Sequence, residues 1–116
     1  MRKRPVRFHR TGLFTKTFPA LMLRLKGYRI LAQRYETPVG LIDFIALKDR
    51  RLAFIEVKRH NLTMKKVPAK QRRRIIRAAQ YWLTEHPEFI GNEIAFGLVL
   101  AAPFALPCYI ANAFRV

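Results

Sequence analysis

Between Val39 and Arg59 the chain carries two apolar runs, Val39–Leu47 and Leu52–Arg59, joined only by Lys48-Asp49-Arg50-Arg51. Both runs have strand length, and so short a polar joint predicts an antiparallel hairpin. Side chains alternate along a strand, so Leu52, Phe54, Glu56 and Lys58 point one way and Ala53, Ile55 and Val57 the other. Asp43 is expected to share its face with Leu41, Ile45 and Leu47. If the register continues, Asp43 lies across from Glu56, and Glu56 and Lys58 are neighbours about 6–7 Å apart along the strand. The hairpin therefore fixes a sheet and places acids in the middle of its apolar strands. Burying them is costly unless they are paired or bound to a cation.

The flanking sequence supplies the remaining elements. A helix is expected over about 13–26, with Leu21, Met22 and Leu25 on one face and Gly27 just past its end. Pro19 fits its first turn or kinks it. Tyr28–Tyr35 reads as a first strand and Thr37-Pro38 as the turn after it. Residues 60–67 form a polar, basic connection. Pro68 opens a helix that runs to about Thr84, where His86-Pro87 stops it. Its apolar stripe is Ile75, Ile76, Ala79 and Leu83, with Lys70, Arg73 and Arg77 on another face. Ile94–Ala101 and Tyr109–Phe114 read as the last strands. The order α-β-β-β-α-β-β predicts an α/β fold with a mixed central sheet flanked by helices.

The stretch from Ile94 to Phe114 is free of charge for 21 residues, long enough for a membrane helix. Pro103 and Pro107 divide it, and two buried strands fit better than a span. Residues 1–11 read as a basic arm, and residues 12–116 as a single domain. Cys108 is the one cysteine of the chain, which excludes an internal disulfide and fits a reducing, cytoplasmic setting. With His9, His60 and His86 scattered, no zinc-ligand spacing is present.

The 116 residues include 23 Lys and Arg against 7 Asp and Glu, a net charge of +16. So strong an excess points first to nucleic acid and second to an anionic membrane surface. The set Lys66, Lys70, Gln71, Arg73, Arg74 and Arg77 brackets the second helix. Its cations suit phosphate contacts that position a nucleic acid without reading its bases; a solvated helix face is the plain alternative. Tyr81 and Trp82 suit core packing better than base stacking.

Two readings of Asp43, Glu56 and Lys58 stand open on the residues alone. One is a Glu56–Lys58 salt bridge at a sheet edge. The other is a divalent-cation site: carboxylates with a nearby backbone carbonyl and water hold Mg²⁺, while a lysine beside them orients water or stabilises charge on a phosphate.

Asp43 followed by Glu56-Val57-Lys58 resembles the signature of the PD-(D/E)XK nuclease fold. The wider chain resembles the YraN-like family of predicted bacterial endonucleases. The resemblance rests on Gly27-Tyr28-Arg29-Ile30-Leu31-Ala32-Gln33-Arg34-Tyr35, Gly40-Leu41-Ile42-Asp43-Phe44-Ile45-Ala46 and Phe54-Ile55-Glu56-Val57-Lys58. Gln71-Arg72-Arg73-Arg74-Ile75, Ala78-Ala79 and Ile110-Ala111-Asn112-Ala113-Phe114 extend it. It covers nearly everything from residue 12 on.

The family is similar in fold to Holliday-junction resolvases and restriction enzymes. The resemblance thus implies a restriction-endonuclease-like α-β-β-β-α-β core and cleavage of DNA, branched or single-stranded forms included, with a single Mg²⁺ or Mn²⁺. It implies Asp43, Glu56 and Lys58 as catalytic residues, with Asp43, Glu56 and Val57 holding the metal. It also places Gln71 near the site, and a resolvase-like role on a symmetric junction favours a homodimer.

Three positions depart from the family pattern. Leu13, Leu41 and Gly97 stand where a Glu, a Glu and an Asp are usual. The resemblance places the two glutamates near the metal, so their loss implies weaker cation binding. A non-catalytic nucleic-acid-binding module on the same fold is the second reading. A basic protein that binds acidic partners, with these residues as a structural ion network, is the third.

Overall fold

The computed structural model describes residues 19–59, 68–101 and 108–114. The basic arm at 1–11, Leu13, the connection at 60–67 with His60 and Lys66, and the side chain of Cys108 lie outside the described residues. The first helix, α1, is described over residues 19–25. It is followed by β1 (Arg29–Thr37), β2 (Gly40–Lys48), β3 (Arg51–Arg59), α2 (Ala69–Glu85), β4 (Glu93–Ala101) and β5 (Cys108–Phe114). A short 3-10 turn, Pro87–Phe89, links α2 to β4. The five strands form one sheet in sequence order, antiparallel except for β3 and β4, which run parallel. This is the expected mixed α/β order. The apolar stretch at the end of the chain gives strands, and among the described residues no helix is long and apolar enough to cross a membrane.

The parallel pair needs a crossover, and α2 supplies it. Its buried residues are Ile75, Ala78, Ala79 and Trp82. The apolar stripe is therefore centred on the side of Ala78 and Trp82, with Ile76 and Leu83 half-buried at its margin. The indole is what draws the helix round. Trp82 meets Phe54 edge-on at 5.9 Å between ring centres, and His86 stacks on its other side at 4.0 Å. Trp82 is thus core, as expected. The α2 side of the sheet adds Ile42, Ile45, Leu52, Phe96 and Leu98.

The opposite side is packed by Ala20, Leu23, Tyr28, Phe44, Ala46, Ala53, Ile55 and Val99. Of the expected face of α1 only Met22 packs here, half-buried: Leu21 is 50% and Leu25 79% exposed, while Ala20 and Leu23 go inward. The end of the helix dictates the roll. Gly27 takes φ +95, its N–H donates to the Arg24 carbonyl, and the Tyr28 N–H donates to that of Leu23. That is a Schellman ending, which brings Leu23 and Tyr28 together and sets them against the sheet.

Glycine also sets the distance between β2 and α2. A Cβ on Gly40 would stand 2.9 Å from the Arg74 carbonyl oxygen, a backbone atom held in the helix. Gly40→Ala is expected to cost about 1–3 kcal/mol. The check is a fall of several degrees in melting temperature with the secondary structure retained.

Candidate active site

The site lies towards the carboxyl end of β3, the middle strand of the sheet. At Glu56 and Lys58 the strand is laddered only to β4, because its pairing with β2 ends at Phe44–Ile55. The division of faces along β3 is as expected: Leu52 and Phe54 pack towards α2, Ala53, Ile55 and Val57 towards α1. Glu56 stands beside Leu98 of β4, and Lys58 beside Leu100. Its half-buried carboxyl therefore has apolar company on that flank.

Asp43 arrives by a less regular route. Along β2, Phe44 and Ala46 pack towards α1, whereas Ile42 and Ile45 both pack towards α2. Strict alternation cannot put residues three apart on one side, so the strand turns over by one residue at Asp43. On β1, Ala32 and Tyr35 show the same three-residue step. Between them Arg34 has φ +48, an unusual value for a residue with a side chain. Arg34 and Asp43 are the opposed positions that drop out of the pairing between Gln33–Phe44 and Tyr35–Ile42, and the β1–β2 register itself shifts between Ile30 and Ala32. Asp43 thus keeps company with Ile45 and Leu47 but not with Leu41, which is 36% exposed beside Glu36.

The β2–β3 register runs from Lys48–Arg51 to Phe44–Ile55 and would next set Asp43 opposite Glu56. There the ladder stops. Asp43 Oδ2 accepts the Val57 N–H at 2.8 Å, so a side chain takes over a donor that the ladder leaves open. Asp43 is only 8% exposed, and its carboxylate is hydrogen-bonded to Glu56. Burial, then the hydrogen bond and the charge of Asp43, push the Glu56 carboxyl up to about 9. The charge of Lys58 and a hydrogen bond from Gln71 act against that rise. Lys58 Nζ donates to Gln71 Oε1 at 2.5 Å. Among the described residues, Glu56 and Lys58 form no direct ion pair; Gln71 touches both and spaces them.

Gln71 reaches the site because α2 is rolled towards Trp82. At 3.6 residues per turn it lies about 40° round the helix from Ile75, whereas Arg73 and Arg77 lie about 160° away and Lys70 about 140°. Lys70, Arg73, Arg74 and Arg77 are exposed. Of the described residues expected to bind nucleic acid, Gln71 alone joins the carboxylates, and the cations face solvent.

The arrangement offers two hard carboxylate oxygen donors, the backbone of Val57 beside them and one ammonium group. No third Asp, Glu, His or Cys joins the pair among the described residues. That set suits a single Mg²⁺ or Mn²⁺, since Mg²⁺ is commonly held by one or two carboxylates with water and phosphate completing its shell.

The departures from the pattern now have places. Leu41 is at the surface of β2. Gly97 pairs with Ile55 on β4, so it belongs to the α1 side, away from Glu56. A Cβ there would stand 2.8 Å from Cε1 of Tyr109. An acid at 97 would leave the donor set unchanged.

A five-stranded mixed sheet crossed by one helix, with acids and a lysine gathered on its middle strand, defines an α/β domain compatible with a restriction-endonuclease-like core. The chain belongs to the uncharacterised protein family UPF0102, whose pattern matches residues 17–101. The UPF0102 protein bll0669 of Bradyrhizobium diazoefficiens is 45% identical over 108 residues, 90% of this chain and 81% of that protein. A UPF0102 protein of Nitrobacter winogradskyi is 46% identical over 110 residues, 92% of each chain. RPA0323 of Rhodopseudomonas palustris is 42% identical over 108 residues, 90% of this chain and 83% of its own.

Proposed function

We propose that this chain is a metal-dependent endonuclease that hydrolyses phosphodiester bonds in DNA. The observation that carries the reading is the convergence of Asp43, Glu56, Lys58 and Gln71 on one spot of a chain with net charge +16. Two acids in contact beside an ammonium group are poor packing, because a well-packed apolar pair would serve the fold as well. They suit a centre that meets a cation and a phosphate.

Asp43, Glu56 and the Val57 carbonyl would hold one Mg²⁺ or Mn²⁺. Bound there, the ion supplies a Lewis acid for the phosphate and lowers the pKa of water. Lys58 is the group aimed at charge that grows on the phosphate oxygens, in a setting where such an interaction outweighs its value in water. Gln71 holds the ammonium at a fixed place, so little reorganisation remains when substrate arrives. Asp43 fixes the end of the β2–β3 ladder as well as the donor set, which couples site geometry to strand geometry.

The test is cleavage of supercoiled plasmid, single-stranded DNA and a four-way junction with Mg²⁺, Mn²⁺ or EDTA, wild type beside Lys58→Ala. Cleavage is expected with metal only, and about 100-fold slower or worse in the variant. If both proteins bind DNA equally and neither cuts, the chain is a binding module and the proposal fails.

A further inference from the structure

The opposite end of the sheet from the carboxylates carries a second concentration of charge. The end of α1, the start of β1 and the β2–β3 turn contribute Arg24, Lys26, Arg29, Lys48, Arg50 and Arg51, against Asp49 and Glu93. Structure holds them together. Lys48 pairs with Arg51, and Arg29 with Leu47. The Glu93 N–H donates to the Arg50 carbonyl. All the cations but the half-buried Arg51 are exposed.

Two of these cations are held in place. The Lys48 chain lies against Gly27, where a Cβ would be 3.3 Å from Cε, and its Nζ stands 5.7 Å from the centre of the Tyr28 ring. Arg51 Nε donates to Glu93 Oε2 at 3.1 Å. Such a bridge contributes little to stability, but it fixes a guanidinium. Cations already ordered lose less freedom when an anion arrives. Free solvation needs no such ordering.

We infer that this end of the sheet is a phosphate-backbone contact surface for nucleic acid, separate from the carboxylates. It rests on the proposed function only in taking DNA as the polyanion. Glu56 is five residues along β3 from Arg51, about 17 Å at strand spacing. Five is an odd step along a strand, so Arg51 lies on the α1 side with Ala53 and Tyr28, and the two sites occupy opposite faces as well as opposite ends of the sheet. A polyanion held here is therefore gripped away from the carboxylates.

The test is binding of a labelled 20-base-pair duplex in EDTA across a salt series. It compares wild type with Lys48→Gln/Arg50→Gln and, as a milder change, Arg50→Gln alone; thermal melting confirms the fold of each. Affinity is expected to fall about 5–10-fold in the double variant, and the slope of log K against log salt to shrink by about 2. Unchanged affinity and slope overturn the inference. So does a loss confined to vesicles of phosphatidylserine and phosphatidylcholine, which makes the surface a lipid contact. Because the measurement needs no metal and no turnover, it holds or fails independently of cleavage.

Discussion

Glu56→Gln is expected to make the metal-free protein more stable, by a margin that grows with pH. The folded chain holds the Glu56 carboxyl proton up to about pH 9, against an ordinary value of 4.5. Burial and the Asp43 carboxylate cause the rise. A carboxyl whose pKa is raised by folding adds stability that is complete below pH 4.5 and drains away as pH climbs through about 9. Glutamine cannot ionise, so the variant shows no such decline. Water reaches the half-buried group and Lys58 stands near it, so the expected gap is about 2 kcal/mol at pH 8. That corresponds to roughly 5 °C or more in melting temperature, against almost none at pH 5. Added Mn²⁺ should then reverse the order. A cation that binds only the folded wild type stabilises it by mass action, and the variant lacks half of the carboxylate pair. Melting curves at pH 5, 6.5 and 8, in EDTA and in Mn²⁺, check both halves. A gap that stays flat with pH would show that Glu56 ionises freely; a variant that responds fully to Mn²⁺ would move the cation elsewhere.

Such a trade between stability and a charged centre marks what the sequence made readable. The acids stood out because they broke an apolar pattern, and period-two alternation placed Glu56 and Lys58 correctly. Asp43 was found for the same reason, but its geometry was not legible. The irregular step at Arg34 and Asp43 involves opposed positions of two strands at once, and alternation has no signal for it. Gln71 was reached through resemblance alone, because a glutamine on a basic helix looks like any solvated residue. Its inward position follows from Trp82, whose bulk turned the stripe towards Ala78. The roll of α1 was misread for a related reason. Leu21 and Leu25 outweigh Ala20 in hydrophobicity, yet the Schellman ending at Gly27 decides which side meets the sheet. Lys70, Arg73 and Arg77 show the reverse case: their face was right, and it points away from the carboxylates.

Placing at position 97 the acid that the resemblance implies is expected to injure the protein without improving the site. In Gly97→Asp the new Cβ meets Tyr109 at 2.8 Å from Cε1 and 3.0 Å from the hydroxyl oxygen. That ring has little freedom to leave, since its hydroxyl bonds that of Tyr28 at 3.2 Å and the two rings meet edge-on at 5.7 Å. Beyond the clash, the carboxylate enters the side of the sheet packed by Ala53, Ile55 and Val99, where burying a charge is costly. Overpacking and burial of charge together should cost about 3 kcal/mol or more, a fall of roughly 10 °C in melting temperature. Adding Tyr109→Ser should recover part of the loss, because the clash is a property of the pair and the two changes are then not additive. The Mn²⁺-dependent rise in melting temperature should not grow, since position 97 shares its side with Ile55 and not with Glu56. Leu41→Glu is the contrasting change: the side chain is at the surface and should cost under about 1 kcal/mol. If Gly97→Asp proves as stable as wild type, or strengthens the response to Mn²⁺, then the assignment of position 97 to the far side of the sheet is wrong. If it fails as expected, Gly97 and Tyr109 are matched pieces of one core.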